Sequence, residues 1–180
     1  RAVMNALTMR RALSYASNFN ALIVQHAMDQ DLQSAGVMHE GELATRLGLT
    51  GIPVAAETAI IDRDIRLVEL TGARYHSHQI SSGESVEAFR QAKARGLAVS
   101  CGVSAAHLML NENDVENYRT FAKLNPPLRS EDDRLALVDG LADCTIDVVV
   151  SGHNPQDAEA KRQPFAQAAY GTVGVETLLS

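Results

Sequence analysis

Six histidines stand in a chain of 180 residues that has four phenylalanines and no tryptophan. Imidazole binds zinc well at neutral pH, and histidines at the ends of different strands can converge on one ion. His26 and His153 are the best placed, because each closes a short apolar run: Ala21-Leu22-Ile23-Val24-Gln25 before His26, and Ile146 to Gly152 before His153. For either one, a hydrogen-bonded core histidine is as ready a reading as a ligand. His76 and His78 are spaced to share one face of a strand, with Tyr75, Ser77 and Gln79 on the other. If Gln79 points inward, that pair points outward beneath the helices, so a structural role is expected for both. His39 and His107 fall in loop-like stretches and are expected at the surface.

Asn125, between an extended segment and Pro126-Pro127, could hydrogen-bond a ligand or simply make a turn. The chain has no glycine-rich phosphate loop, no Gly-x-Ser-x-Gly elbow and no Cys-x-x-Cys. Ser100 and Cys101 have no base nearby in sequence, which leaves nucleophilic catalysis unsupported. Cys101 and Cys144 each lie in or beside an apolar run and read as two buried, reduced thiols.

The elements that must position these groups follow from periodicity. Val3, Leu7, Arg10 or Arg11 and Ala16 predict a helix over Ala2–Ser17, and the strand ending on His26 follows. Asp29–Met38 reads as loop, Glu42–Leu47 as a short helix closed by Gly48, and Ala55–Leu70 as a surface helix capped by Gly72. In that last helix Ile61, Ile65 and Val68 face the core and the charges face water. Arg74–Ser81 is predicted as strand, with Ser82 capping a helix through Val86, Phe89 and Ala92 that Gly96 closes. Leu97–Val103 is strand and Ser104–Asn113 loop. Ser130-Glu131-Asp132-Asp133 fits a capping box, with Leu135, Val138 and Leu141 as the buried stripe of the helix it starts. Ile146–Val150, four apolar or β-branched residues with one aspartate, reads as a strand buried on both faces.

Strand–helix alternation at this spacing predicts an α/β fold of parallel β/α units, and right-handed crossovers put every strand's carboxyl end on one rim. His26, Gln79, the Val103–His107 turn, Asn125 and the Gly152–His153 pair should therefore share one mouth, where such folds keep their chemistry. The length and a hydrophobic content of 46% suit one domain over residues 1–180. A net charge of -6 without a basic stripe argues against a nucleic-acid partner. The lack of a membrane-length apolar stretch or signal-peptide pattern predicts no membrane contact and a cytoplasmic location. Arg1 is not an initiator methionine, and a piece of a longer chain is expected.

With these residues in view, the chain resembles the later half of a bacterial-type dihydroorotase, within the amidohydrolase superfamily. The likeness runs from Arg1 to Ser180 and rests on Val3-Met4-Asn5-Ala6-Leu7, Gln25-His26-Ala27, Val37-Met38-His39-Glu40-Gly41, Ile52-Pro53-Val54-Ala55-Ala56-Glu57, Asn125-Pro126-Pro127-Leu128-Arg129-Ser130-Glu131 and Gly174-Val175-Glu176-Thr177. It implies the later units of a TIM-like (β/α) barrel with zinc at its mouth. A whole barrel runs to ~250 residues, and the family's early His-x-His pair and bridging acid would precede Arg1.

Carried over by position, the resemblance makes His26 the metal ligand that ends the fifth barrel strand, and makes Asn125 and Gly171 substrate contacts. The sixth-strand ligand, expected in a Tyr-His-x-x-His-Ile-Ser context, falls on Gln79, with His78 one place away. The last strand of the family ends Thr-Asp-His-Ala-Pro-His, where this chain has Ser151-Gly152-His153-Asn154-Pro155-Gln156. The metal-binding, proton-handling aspartate is thus Gly152, and a substrate-contacting histidine is Gln156. Amide hydrolysis on this scaffold needs a metal to make hydroxide and a carboxylate to move its proton. Glycine can do neither, and Asp157, the nearest acid, stands beyond Pro155.

Three readings follow from the resemblance. One is a catalytically silent dihydroorotase-like subunit, of the kind that associates with aspartate transcarbamoylase in pyrimidine biosynthesis; such a subunit would be oligomeric. Another is an active zinc dihydroorotase interconverting carbamoyl-aspartate and dihydroorotate. The third is a related hydrolase of another cyclic amide, such as a hydantoin.

Overall fold

The computed structural model describes residues 2–178; Arg1, Leu179 and Ser180, which the single-domain expectation over 1–180 includes, lie outside the described residues. Helix α1 (Ala6–Ser17) is capped by Asn5, whose side chain accepts from the Thr8 amide at 2.9 Å, and buries Met9, Leu13 and Ala16. Strand β1 (Leu22–Gln25) leads to a short helix α2 (Gln30–Gln33) and to strand β2 (Met38–His39), where the sequence predicts only loop. Helix α3 (Glu42–Leu47) has the predicted bounds, and strand β3 (Gly51–Ile52) pairs with β2 in a small parallel sheet. Helix α4 (Ala55–Thr71), strand β4 (Arg74–Ser77), helix α5 (Gly83–Ala94) and strand β5 (Val99–Ser104) follow. Helix α6 (Ala105–Met109) and two 3-10 turns, Glu112–Tyr118 and Thr120–Ala122, replace the predicted loop after β5. Helix α7 (Glu131–Ala142), strand β6 (Val148–Val150) and helix α8 (Ala158–Lys161) complete the chain with a last 3-10 turn, Val175–Thr177.

The main sheet is four-stranded and parallel throughout, in the order β1-β4-β5-β6. Helices α4, α5 and α7 supply the crossovers. Their inner faces and the sheet bury Ile60, Ile61, Ile65, Val68, Tyr75, Val86, Phe89, Cys101, Val103 and Leu137 in one core. A smaller core of Val37, Met38, Leu43, Val115, Leu124, Leu128 and Phe165 lies under the small sheet and the long loops. No helix among the described residues is long and apolar enough to cross a membrane.

Three expectations about packing are corrected. The strand before Gly152 is not buried on both faces: Val148 and Val149 keep 41% and 38% of their surface, and Leu22 and Val24 of β1 are exposed too. Both strands are edges, each with one neighbour in the sheet, so apolar composition alone does not bury them. On α7 the buried positions are Leu137 and Gly140 rather than Leu135 and Val138, because α7 packs on α5 so closely that a Cβ at Gly140 would lie 2.7 Å from Val86 Cγ1. Cys144 is exposed, whereas Cys101 is buried as expected.

Helix α4 also departs from a simple division of charge and core. Glu57 and Asp64 lie on its inner face and are fully buried. Asp64 is bonded by Arg63 and by the amide of Gln25, and Arg63 reaches the carbonyls of Val3 and Met4, both at 2.7 Å. That pair of bonds ties the segment before α1 to helix α4, and the Gln25–Asp64 bond carries the link on to β1.

A mouth of histidines and amides at the carboxyl rim

The carboxyl ends of the four parallel strands do meet at one rim. His26 follows β1 directly, His78 and Gln79 follow β4, Ser104 ends β5, and Ser151 to Asn154 follow β6. A cavity of about 350 Å³ opens there, lined by His26, His78, Gln79, Asn125, Val150, Ser151, Gly152, His153 and Asn154. Every titratable group in that lining is an imidazole, and no carboxylate is among them.

His26 is half-buried, with Nε2 3.4 Å from Oδ1 of Asn125. An amide oxygen only accepts, so Nε2–H donates and Nδ1 keeps the lone pair. Burial lowers the His26 pKa below its ordinary value, against the Asn125 hydrogen bond and the charge of Glu57.

His78 lines the mouth, contrary to the expectation that it shares an outward face with His76. Strand β4 stops at Ser77, so the alternation that pairs the two histidines lapses one residue before His78. His76 stays on the strand and bonds Ser100 Oγ through Nδ1 at 2.8 Å.

His107, expected at the surface, is buried at 2% exposure in the first turn of α6. Its Nε2 lies 3.1 Å from the carbonyl oxygen of Pro126. Ser104 Oγ is 2.7 Å and the Gln79 amide nitrogen 3.3 Å from Nδ1. Burial pushes its pKa down to about 4. The sequence signal available was Ser104 three residues before it, an N-cap spacing that turns residue 107 back onto the cap.

Gly152 has φ +57°, the left-handed region, and a Cβ built there would lie 3.1 Å from Ser104 Cβ, 3.6 Å from Ser104 Oγ and 3.9 Å from the Gln79 amide nitrogen. Position 152 therefore faces Gln79 across the rim. Asp157 does not reach inward; its carboxylate caps α8 by accepting from the Ala160 amide at 2.7 Å. Gln156 bonds Asn154 Oδ1 at 3.0 Å, outside the lining. Gly171 is buried with φ +122°, and a Cβ there would collide with the backbone and side chain of Asn154, which does line the mouth. His153 is exposed, and its Nδ1 accepts from the Val175 amide at 3.3 Å. Among the described residues no group of three or more His, Cys, Asp or Glu is arranged to hold a metal ion.

Behind the mouth lies a buried polar network. Glu57 accepts from the Ser81 amide at 2.9 Å, from the Ser81 hydroxyl and from the Ser85 hydroxyl at 2.5 Å. Arg129 donates to Ser81 Oγ at 3.2 Å, to the Ile52 carbonyl at 2.6 Å and to His39 Nδ1 at 3.2 Å. The Ile-Pro-x-x-Ala-Glu and Asn-Pro-Pro-Leu-Arg-Ser stretches, far apart in sequence, thus meet through Ser81. Lys123, also buried, donates to the carbonyls of Phe165 and Ala166 at 2.8 and 3.0 Å and lies over the Tyr170 ring, binding the segment before Gly171 to the one before Asn125.

Comparison with known proteins adds to this geometry. The dihydro-orotase-like family profile matches residues 2–85. The dihydroorotase of Anaeromyxobacter dehalogenans is 49% identical over 182 residues, spanning 100% of this chain and 42% of that protein. That of Ehrlichia chaffeensis is 45% identical over 178 residues, 98% of this chain and 40% of the relative. The chain spans about two fifths of the length of the curated relatives it matches. Among solved structures, a D-hydantoinase superposes over 98% of this chain and 40% of its own with a TM-score of 0.83 at 21% identity. The dihydropyrimidinase of Brevibacillus agri does so over 98% of this chain and 42% of its own with a TM-score of 0.81 at 23% identity. At that identity the superposition speaks for the fold, a partial TIM-like α/β barrel of parallel β/α units.

Proposed function

We propose that this chain is a catalytically silent member of the dihydroorotase family whose profile and relatives it matches, keeping the barrel for assembly rather than for ring hydrolysis. The observation that carries the reading is Gly152. The backbone there faces the reaction mouth, opposite Gln79, yet no side chain projects from it and no carboxylate lines the cavity.

Zinc, which the resemblance implies, does not fit the donors this chain supplies. Structural and catalytic zinc sites draw three or four protein ligands from thiolate, imidazole and carboxylate. Three imidazoles line the mouth, His26, His78 and His153, but among the described residues no three such groups converge on one point. His153 is exposed with Nδ1 taken by the Val175 amide, Gln79 turns its amide nitrogen to His107 and Gly152 offers nothing. No reaction step is therefore derived through a metal.

The proposed role is a structural one beside aspartate transcarbamoylase in pyrimidine biosynthesis. Its support is the resemblance to silent homologues of the family together with the missing carboxylate at Gly152. The apolar edges, Leu22 and Val24 on β1 and Val148 and Val149 on β6, are where further strands of a longer chain or a partner would pair. Co-elution of the intact protein with aspartate transcarbamoylase in gel filtration checks that role, and independent elution contradicts it.

A second reading, an active cyclic-amide hydrolase, is favoured by the survival of His26 and Asn125 in one mouth. Zinc uptake in the pair Gly152→Asp and Gln79→His separates the two. The silent reading expects no bound zinc in the natural sequence and uptake in the double variant. Stoichiometric zinc in the natural sequence overturns it.

A further inference from the structure

We infer that His107 is a positioning residue for the mouth: its neutral ring, held in one tautomer by Gln79 and Ser104, fixes the Pro126 carbonyl and so sets the side chain of Asn125 against His26. The inference rests on the reading of this mouth as the ligand site only for the use made of Asn125; the contacts need neither metal nor turnover.

The proton count follows from the partners. A carbonyl oxygen cannot donate, so the 3.1 Å contact to Pro126 requires the proton on Nε2 of His107. Nδ1 is then an acceptor, and both groups facing it are donors: the Ser104 hydroxyl at 2.7 Å and the Gln79 amide nitrogen at 3.3 Å. The other tautomer would set N–H against an N–H donor on one side and a lone pair against a carbonyl oxygen on the other. Pro126 is bonded directly to Asn125, whose Oδ1 meets His26 Nε2. Ser104, His107, Pro126, Asn125 and His26 thus form one continuous path from the end of β5 to the end of β1. Gln79 joins that path at its centre, giving work to a residue that stands in the place of a ligating histidine.

A hydroxyl against an imidazole that is itself oriented by a third group also has the shape of a nucleophile and its base. Burial decides against that use. Ser104 is 1% exposed and already caps α6 by accepting from the His107 amide, and Nδ1 is shared with Gln79.

The test uses the intact protein with nitrogen-15 in its histidine and asparagine side chains, read by NMR without any ligand. His107 should show a proton on Nε2 and none on Nδ1. In His107→Phe the side-chain amide signals of Asn125 and the ring signals of His26 should both move. In His107→Gln, whose amide can donate to Pro126 and accept from Ser104, they should return to the natural positions. Should the Phe variant not fold, Gln79→Glu carries the test. An acceptor of the same shape against Nδ1 should draw a second proton onto His107. An Nδ1-protonated ring in the natural protein, Asn125 and His26 signals indifferent to His107→Phe, or a His107 ring unchanged in Gln79→Glu would each overturn the inference. None of these outcomes depends on whether the protein is catalytically silent.

Discussion

The Cα of Gly152 is turned toward Ser104, so that a Cβ on residue 152 would stand 3.1 Å from the Ser104 Cβ and 3.9 Å from the amide nitrogen of Gln79. An aspartate placed here would enter a space already bounded by the β5 end.

Gly152→Asp alone is therefore expected to destabilise the fold. A left-handed φ costs a non-glycine residue about 1 kcal/mol, less for aspartate than for most, and the tight contact adds to it. A loss of about 1–2 kcal/mol in urea denaturation is expected, and an unchanged midpoint would mean that the rim yields freely.

Removing the hub of the buried network should cost more. Glu57→Ala strands the Ser81 amide and the hydroxyls of Ser81 and Ser85, and leaves Arg129 buried without the nearby negative charge. Breaking a buried charged network from one side costs about 3–5 kcal/mol. Glu57→Gln, which keeps one acceptor oxygen, should cost less, and denaturant midpoints rank the two.

Stability should fall as the medium is acidified. His107 takes a proton near its ordinary value of 6.5 when unfolded but only at about 4 when folded. Between those values the unfolded chain binds a proton that the folded one refuses. The contribution of the neutral buried ring is complete above pH 6.5 and lost as pH falls toward 4. It amounts to about 3 kcal/mol. His26 and His39, also lowered by burial, act in the same direction. Asp64, whose carboxyl burial pushes up, opposes them at the acid end. His107→Gln should flatten the stability profile between pH 7 and 5, where the unfolded imidazole gains its proton and the folded one does not.

Lys123→Met should loosen one segment rather than the whole fold. It frees the carbonyls of Phe165 and Ala166 in a buried site. Each stranded group costs about 1–3 kcal/mol. Faster hydrogen exchange confined to the segment from Phe165 to Tyr170 is expected, with the exchange of β4 and β5 unchanged.

Much of this arrangement was legible in the sequence. Short apolar runs closed by polar residues gave the parallel strands, and Ser82 and Ser130 marked helix starts that the structure confirms through their bonds to the Ser85 and Asp133 amides. The shared mouth followed from crossover handedness, and His26, Gln79, Asn125, Gly152 and His153 do line it. What escaped was everything set by neighbours distant in sequence. Whether Val148 is covered depends on how many strands flank it, and composition carries no such count. His107 looked like a loop residue because its partners, Gln79 and Pro126, lie 28 and 19 positions away. Glu57 and Asp64 looked solvent-facing because the serines, the amide and the arginine that satisfy them belong to other segments or lie beside the helix's inner face.

Turnover of dihydroorotate by the intact protein, followed as ring opening with zinc supplied, tests the central claim most directly. A rate no greater than that of the Asn125→Ala variant is the result expected of a mouth without its proton-carrying acid. Ring opening well above that control, and abolished by it, would contradict the account.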